Sequence, residues 1–416
     1  MKLTNRHLCF RFFCRSGPAA AAAWVALALG GVQARTWPSV DGAGHGGFSA
    51  AAARGEGFVS LQSELSAAGR SFVKAPGKGE SPAEGQAEKA PSGPGGGKWF
   101  ERSSGKPADL SKPVQVFILL GQSNMVGLGK IHGPEGSLEF AVKEKHKYPY
   151  LVEDDGRWVE RKDVRFVRYM SGKGPLNNEW MTVKGNTMGP EWGIGHPLGN
   201  AIDAPVMILK TCIGNRSLGW DLLPPGSARF EAGDKVYAGY KDSPDSWPKG
   251  TEPQAIGWYA GKQYDDDTAD AKRALADLKT HYPDAASYEV AGFFFWQGEK
   301  DGGNPVHAAK YEENLVRFIK ALRHDFAAPQ AKFVLATLGE AKKGSGGNGG
   351  QILDAQLAVD GTSGKYPEFR GNVATVYTHP LSLGGSGNSH YNGNAETYMN
   401  VGEALGLALI GLLNGK

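Results

Sequence analysis

Five short runs constrain this chain more than anything else in it: residues 114–120, 205–213, 290–296, 333–338 and 373–377 are nearly continuous apolar, β-prone sequence. A strand with one wet face alternates apolar and polar residues. A strand that is apolar throughout must be covered on both faces, as in a parallel sheet. Amphipathic stretches lie between and after the runs. Tyr311, Leu315, Phe318, Ile319 and Leu322 recur at helical spacing, as do Tyr398, Val401, Leu405, Ala408, Leu409 and Leu412 behind Asn394, a candidate N-cap. Strands alternating with helices predict an α/β domain, a three-layer α/β/α sandwich. Two interruptions, an alternating hairpin at 158–170 and a Pro/Gly-rich excursion at 221–261, hold too few apolar residues for cores of their own. Both are expected to be insertions near the site.

The sequence before residue 113 has another character. The chain contains 60 glycines among 416 residues, and much of that excess lies in the first third. Residues 35–112 are rich in Gly, Ala, Ser, Pro and Lys and read as a flexible tether, with at most a short helix between Phe58 and Phe72. Residues 1–34 resemble an export signal: Arg6, Arg11 and Arg15 precede an apolar stretch at 18–29 and small residues at Val32-Gln33-Ala34. The expectation is an exported protein (periplasmic, cell-surface or secreted) whose compact domain spans 113–416. A retained anchor is the rival reading, although the apolar stretch is shorter than the ~20 residues a span needs. Cys9 and Cys14 fall in the leader, which leaves Cys212 alone in an apolar run, expected to be packed rather than nucleophilic. A formal net charge of +3 argues for neither nucleic acid nor an acidic membrane surface as partner.

In open α/β sheets ligands gather at the carboxyl ends of the strands, so the residues just past each run are the informative ones. After the first comes Gly121-Gln122-Ser123-Asn124-Met125. A serine at a tight strand-to-helix turn exposes its hydroxyl where backbone N–H groups also point, which suits a nucleophile and part of an oxyanion hole; it equally suits an N-cap without chemistry. After the second run, Gly214-Asn215-Arg216-Ser217 offers a backbone N–H at Gly214 as a second oxyanion donor, or a simple turn. After the third, Trp296-Gln297-Gly298-Glu299-Lys300-Asp301 collects an aromatic, an amide that can donate to an oxyanion, and carboxylates that can orient a histidine. His390, just before the last helix, stands where a general base for Ser123 would lean over the same edge. His379 is its rival.

These segments, in this order, resemble the blocks of the SGNH-hydrolase superfamily, and more narrowly the sialate O-acetylesterase and acetylxylan esterase group of carbohydrate esterases. The resemblance covers residues 114 to the C-terminus. It implies a flavodoxin-like five-stranded parallel sheet, equal in number to the apolar runs, with loop insertions. It also implies Ser123 as nucleophile, His390 as base, and an oxyanion hole made from the amides of Ser123 and Gly214 with the Gln297 side chain. Gln122, Asn124, Asn215, Arg216 and Trp296 of the same blocks are the candidate substrate-binding residues. One position departs from the pattern: many such enzymes carry an aspartate three residues before the histidine, and Gly387 stands there. The resemblance then nominates Glu299 as the acid, with Asp301 in reserve. The segment 189–196 resembles a further block, in which His196 is expected to be structural.

Asp265, Asp266 and Asp267 fit a helix start better than a metal site, and no His/Cys/Asp spacing matches a known one, so neither metal nor cofactor is expected. Trp192, Trp220 and Tyr259 are either a sugar-stacking platform or core aromatics. The resulting expectation is an exported serine esterase that removes O-acetyl groups from carbohydrate. A weakly catalytic carbohydrate-binding module on the same fold, and a lipid or thioester hydrolase, are the alternatives.

Overall fold

The computed structural model describes residues 97–415. The leader, Cys9, Cys14, most of the tether and the segment between Phe58 and Phe72 lie outside the described residues. The main sheet is built from β1 (Val114–Gly121), β2 (Val164–Met170), β3 (Lys173–Trp180), β4 (Val206–Lys210), β5 (Tyr288–Trp296), β6 (Lys332–Ala336) and β7 (Val373–Val376). Their order across the sheet is β7-β6-β5-β1-β4-β2-β3. All are parallel to their neighbours except the edge strand β3, which pairs antiparallel with β2.

Continuous apolar sequence does what it must here. Along β1, Val116, Ile118 and Leu120 enter one core, while Phe117 and Leu119 enter the other. The first core is closed by α2 (Lys262–Ala276), α3 (Pro305–Asp325) and α4 (Gly347–Ala358). The second is closed by α1 (Glu191–Ala201) and α5 (Ala395–Leu413). Each fully buried apolar side chain of this size stabilises by roughly 1.5–3 kcal/mol, so a charge placed within Phe293–Phe295 would break the sheet centre. The helical face read from Tyr311 to Leu322 is buried, and the Asn394 side chain accepts from Thr397 N at 3.0 Å as the N-cap of α5.

Four expectations are corrected. The sheet has seven strands, not five: the five runs form its contiguous centre and β2 and β3 extend one side. The hairpin expected at 158–170 is displaced to the β2–β3 pair, with Arg165 opposite Trp180. It was misjudged because β3, an edge strand of sequence KGPLNNEW, carries almost no apolar signal. This pair contributes nothing to the cleft at Ser123, so only one of the two insertions flanks the site. Finally, the described end of the tether is docked on the domain: Phe100 is buried against Tyr150 at 5.5 Å, and Asn200 Nδ2 donates to the carbonyls of Trp99 and Glu101.

The excursion at 221–261 forms a three-stranded antiparallel ribbon, Phe230–Ala232, Lys235–Tyr237 and Ser246–Pro248, on a small core of Leu223, Ala238, Trp247 and Ala260. His196 lies inside α1 with its ring 4.3 Å from Tyr150, and burial, aided by Arg161, holds its pKa well below the usual imidazole value. Burial likewise pushes the Cys212 thiol up to about 12. Neither residue reaches the cleft. In α2, Asp265 takes hydrogen bonds from Lys241 and Tyr259, and Asp266 pairs with Lys262. Among the described residues no helix is long and apolar enough to cross a membrane.

Candidate active site

β1 ends at Gly121, directly beside Trp296 at the end of β5. The chain turns there with φ +141°, where a Cβ would sit 2.2 Å from the Trp296 carbonyl oxygen, so only glycine fits. Gln122 N then donates to that carbonyl at 3.1 Å, and Ser123 opens the one-turn helix Ser123–Val126. As the first helical residue, Ser123 has an N–H with no intrahelical acceptor. The loop after β4 brings Gly214 over the serine: a Cβ on Gly214 would lie 3.5 Å from Ser123 Cβ. Among the described residues the Gly214 N–H has no hydrogen-bond acceptor.

His390 arrives on the turn Gly387–Gly393, whose residues His390, Tyr391 and Asn392 all take left-handed φ between 52 and 55°. Such backbone costs energy in non-glycine residues and persists only when the surroundings fix it. Tyr391 does so, buried and stacked on Trp296 at 6.0 Å, and His390 is thereby turned outward. Its Nε2 lies 2.9 Å from Ser123 Oγ. The two side chains meet in a cleft of about 840 Å³ that also takes in Gln122, Gly214, Asn215 and Glu299.

The two acids have other partners. Glu299 accepts from Gln122 Nε2 and, at 2.6 Å, from Asn124 Nδ2; burial, with the charge of Glu340 second, raises its pKa to about 7. Asp301 is buried beneath the loop after β4, where it accepts from Leu218 N and Gly219 N, each at 2.8 Å, and from Gln297 Nε2 at 2.6 Å. Neither acid hydrogen-bonds His390: Asp301 is committed to the loop after β4, and Glu299 holds Gln122 and Asn124, the two neighbours of Ser123.

Four further expected site residues move. Gln297 donates both amide hydrogens, to Asp301 and to the Arg216 carbonyl at 2.9 Å, and accepts from Tyr311 through Oε1, so its side chain is spent on the scaffold and cannot reach an oxyanion. Trp296 and Asn124 are fully buried and hold the site from behind, Asn124 joining Glu299, the Gly387 carbonyl and Tyr398. Arg216 turns away, its guanidinium 4.6 Å above Trp258 and bonded to Gln263, outside the cleft. Gln122 and Asn215 do line it. His379, the rival base, is engaged with the Gly339 carbonyl at 2.7 Å and does not line the cleft.

The far end of the cleft was foreseen only in Trp220. Trp220 borders it, while Trp192 is buried in the core and Tyr259 bonds Asp265 elsewhere. Asp245, from the ribbon, pairs with His307, from the first turn of α3, at 3.0 Å; that carboxylate raises the His307 pKa against the opposing effect of burial. No local motif marks this pair, because tertiary folding of the excursion creates it. Glu340 was missed for a lesser reason: it follows β6, and the rule that flagged the ends of the other strands reaches it too. Among the described residues no group of three or more His, Cys, Asp or Glu is gathered to hold a metal ion.

No curated protein is significantly similar to the chain. Among solved structures, a protein of Arabidopsis thaliana is 20% identical, with a TM-score of 0.43, over 72% of this chain and 98% of its own. A carbohydrate acetylesterase from Xanthomonas citri is 13% identical, with a TM-score of 0.43, over 73% and 57%. NanS is 15% identical, with a TM-score of 0.34, over 64% and 78%. Residues 113–410 match the family model described as carbohydrate esterase, sialic acid-specific acetylesterase. The chain therefore belongs to that family of carbohydrate esterases, carboxylic ester hydrolases acting on O-acetylated carbohydrate.

Proposed function

We propose that this protein is an exported serine esterase that removes O-acetyl groups from carbohydrate through an acyl intermediate on Ser123. The observation that carries the reading is the 2.9 Å contact between Ser123 Oγ and His390 Nε2, at the base of an open cleft and beside two uncommitted backbone N–H groups. His390 takes the hydroxyl proton as Oγ attacks the acetyl carbonyl. The N–H groups of Ser123 and Gly214 receive the developing oxyanion. Collapse of the tetrahedral species breaks the ester C–O bond, and His390 returns the proton to the departing sugar oxygen. Water, deprotonated by His390, then attacks the acyl-serine; the bond from the acyl carbon to Oγ breaks, His390 returns the proton to Ser123 Oγ, and acetate leaves.

The sugar would lie toward Trp220, Asp245 and His307, where an aromatic edge and a charged hydrogen-bonding pair suit a ring bearing hydroxyl groups. The test is acetate release from an acetylated oligosaccharide by wild type, Ser123→Ala and His390→Ala. Both variants should lose at least about 10³-fold in kcat. Release by Ser123→Ala at the wild-type rate would refute the serine mechanism, and sugar binding without turnover in the wild type would favour the binding-module alternative. Preferential release of a fatty acid would favour a lipid substrate. Export rests on the leader: protein recovered outside the cytoplasm should begin after Ala34, and recovery only in the cytoplasm would contradict it.

A further inference from the structure

The position where related enzymes carry an acid is a glycine here, and the space its side chain would fill is already taken. A Cβ on Gly387 would lie 2.6 Å from Glu340 Oε2 and 3.1 Å from Glu299 Oε1. Glu340 Oε2 also accepts from Gly387 N at 3.1 Å, while the Gly387 carbonyl accepts from Asn124 Nδ2 at 3.0 Å. Residue 387 is thus gripped at both backbone polar groups, three residues before His390 and at the start of the turn that aims it.

We propose that Glu340, reaching across from the end of β6, takes the place of the side chain missing at Gly387: it is a positioning residue that fixes the His390 turn by holding the Gly387 N–H. The inference rests on His390 being the base for Ser123. A base must meet the serine hydroxyl in one orientation, and a turn held at its first residue limits the orientations His390 can take. Of the two acids flanking Gly387, Glu299 is occupied by Gln122 and Asn124, and its affinity for a proton is raised by burial and by Glu340 itself. Glu340 is the one bonded to the turn. Tyr391 also faces this point, its hydroxyl 2.8 Å from where the same Cβ would lie. Glu340 and His390 thus come from different elements, and a one-carbon side chain at 387 would collide with the acid already there.

The experiment compares Glu340→Ala and Glu340→Gln with wild type on p-nitrophenyl acetate. Gln retains an acceptor for the Gly387 N–H, whereas Ala removes it. The proposal expects kcat to fall about tenfold or more in Glu340→Ala with little change in KM, and Glu340→Gln to recover most of that loss. Wild-type kcat in Glu340→Ala, or an equal loss in the Gln and Ala variants, would overturn the proposal. Inactive Ser123→Ala beside unimpaired Glu340→Ala sinks this inference alone, whereas active Ser123→Ala sinks the reading beneath it.

Discussion

Asp301→Asn tests the division of labour between the two acids. Asp301 Oδ2 accepts from Leu218 N and Gln297 Nε2, and Oδ1 accepts from Gly219 N, all at 2.6–2.8 Å and fully buried. An asparagine can place its oxygen toward the first two donors, but its amino group then faces the Gly219 N–H. One buried donor is left unpaired against another donor, and the charge that strengthened the remaining bonds is gone. Such a loss costs roughly 2–4 kcal/mol. For a domain of this size that is a fall in melting temperature of about 3–6 °C. The same change loosens the loop that carries Gly214, and an oxyanion donor is worth about 10²–10³ in kcat when removed outright. A displaced donor should therefore cost about 10- to 100-fold. Melting by circular dichroism and kcat on p-nitrophenyl acetate are the two assays. A variant that melts within 1 °C of wild type and hydrolyses at its rate would refute the account of Asp301 as a clamp.

Other perturbations separate the remaining parts. Glu299 holds its proton more tightly in the folded chain, with a pKa of about 7, than in the unfolded chain, so folding stability is lost as pH rises from about 4.5 to 7 and then levels off. Glu299→Gln abolishes this loss, and its stability relative to wild type should improve across that window by up to about 3 kcal/mol in urea titrations; a pH-independent difference would contradict it. If the sugar lies toward Asp245 as proposed, Asp245→Ala should raise KM for an acetylated oligosaccharide about tenfold and leave p-nitrophenyl acetate kinetics unchanged. Equal effects on both substrates would place Asp245 outside sugar recognition. Phe294→Asp, at the buried centre of β5, should leave no soluble folded protein, as judged by size-exclusion chromatography.

Much of this arrangement was legible before any coordinates. Continuous apolar runs located the strands because burial on both faces leaves that signature, and the strand-end rule then gathered Ser123, Gly214 and the Gln297–Asp301 segment at one edge. What could not be read was the destination of each polar side chain. Gln297, Asp301, Asn124 and Arg216 have the chemistry of active-site groups, yet the first three satisfy one another or buried backbone groups and the fourth lies on Trp258. Spacing tells which residues arrive together and not which way they point. The Asp245–His307 pair depends on an excursion folding back across the strand ends, and no local pattern encodes that meeting. The edge strand β3 escaped because an edge exposed to water needs no apolar run.

The central claim is that Ser123 forms a covalent bond to the acyl group. The direct measurement is acid quenching of the enzyme during turnover of p-nitrophenyl acetate, followed by proteolysis and mass spectrometry of the peptide containing Ser123. The account predicts one added acetyl group on Ser123, increased in amount when His390 is replaced by a residue that slows deacylation more than acylation, and absent from Ser123→Ala. Steady hydrolysis with unmodified Ser123, or an acetyl group on another residue that turns over at the catalytic rate, would contradict it.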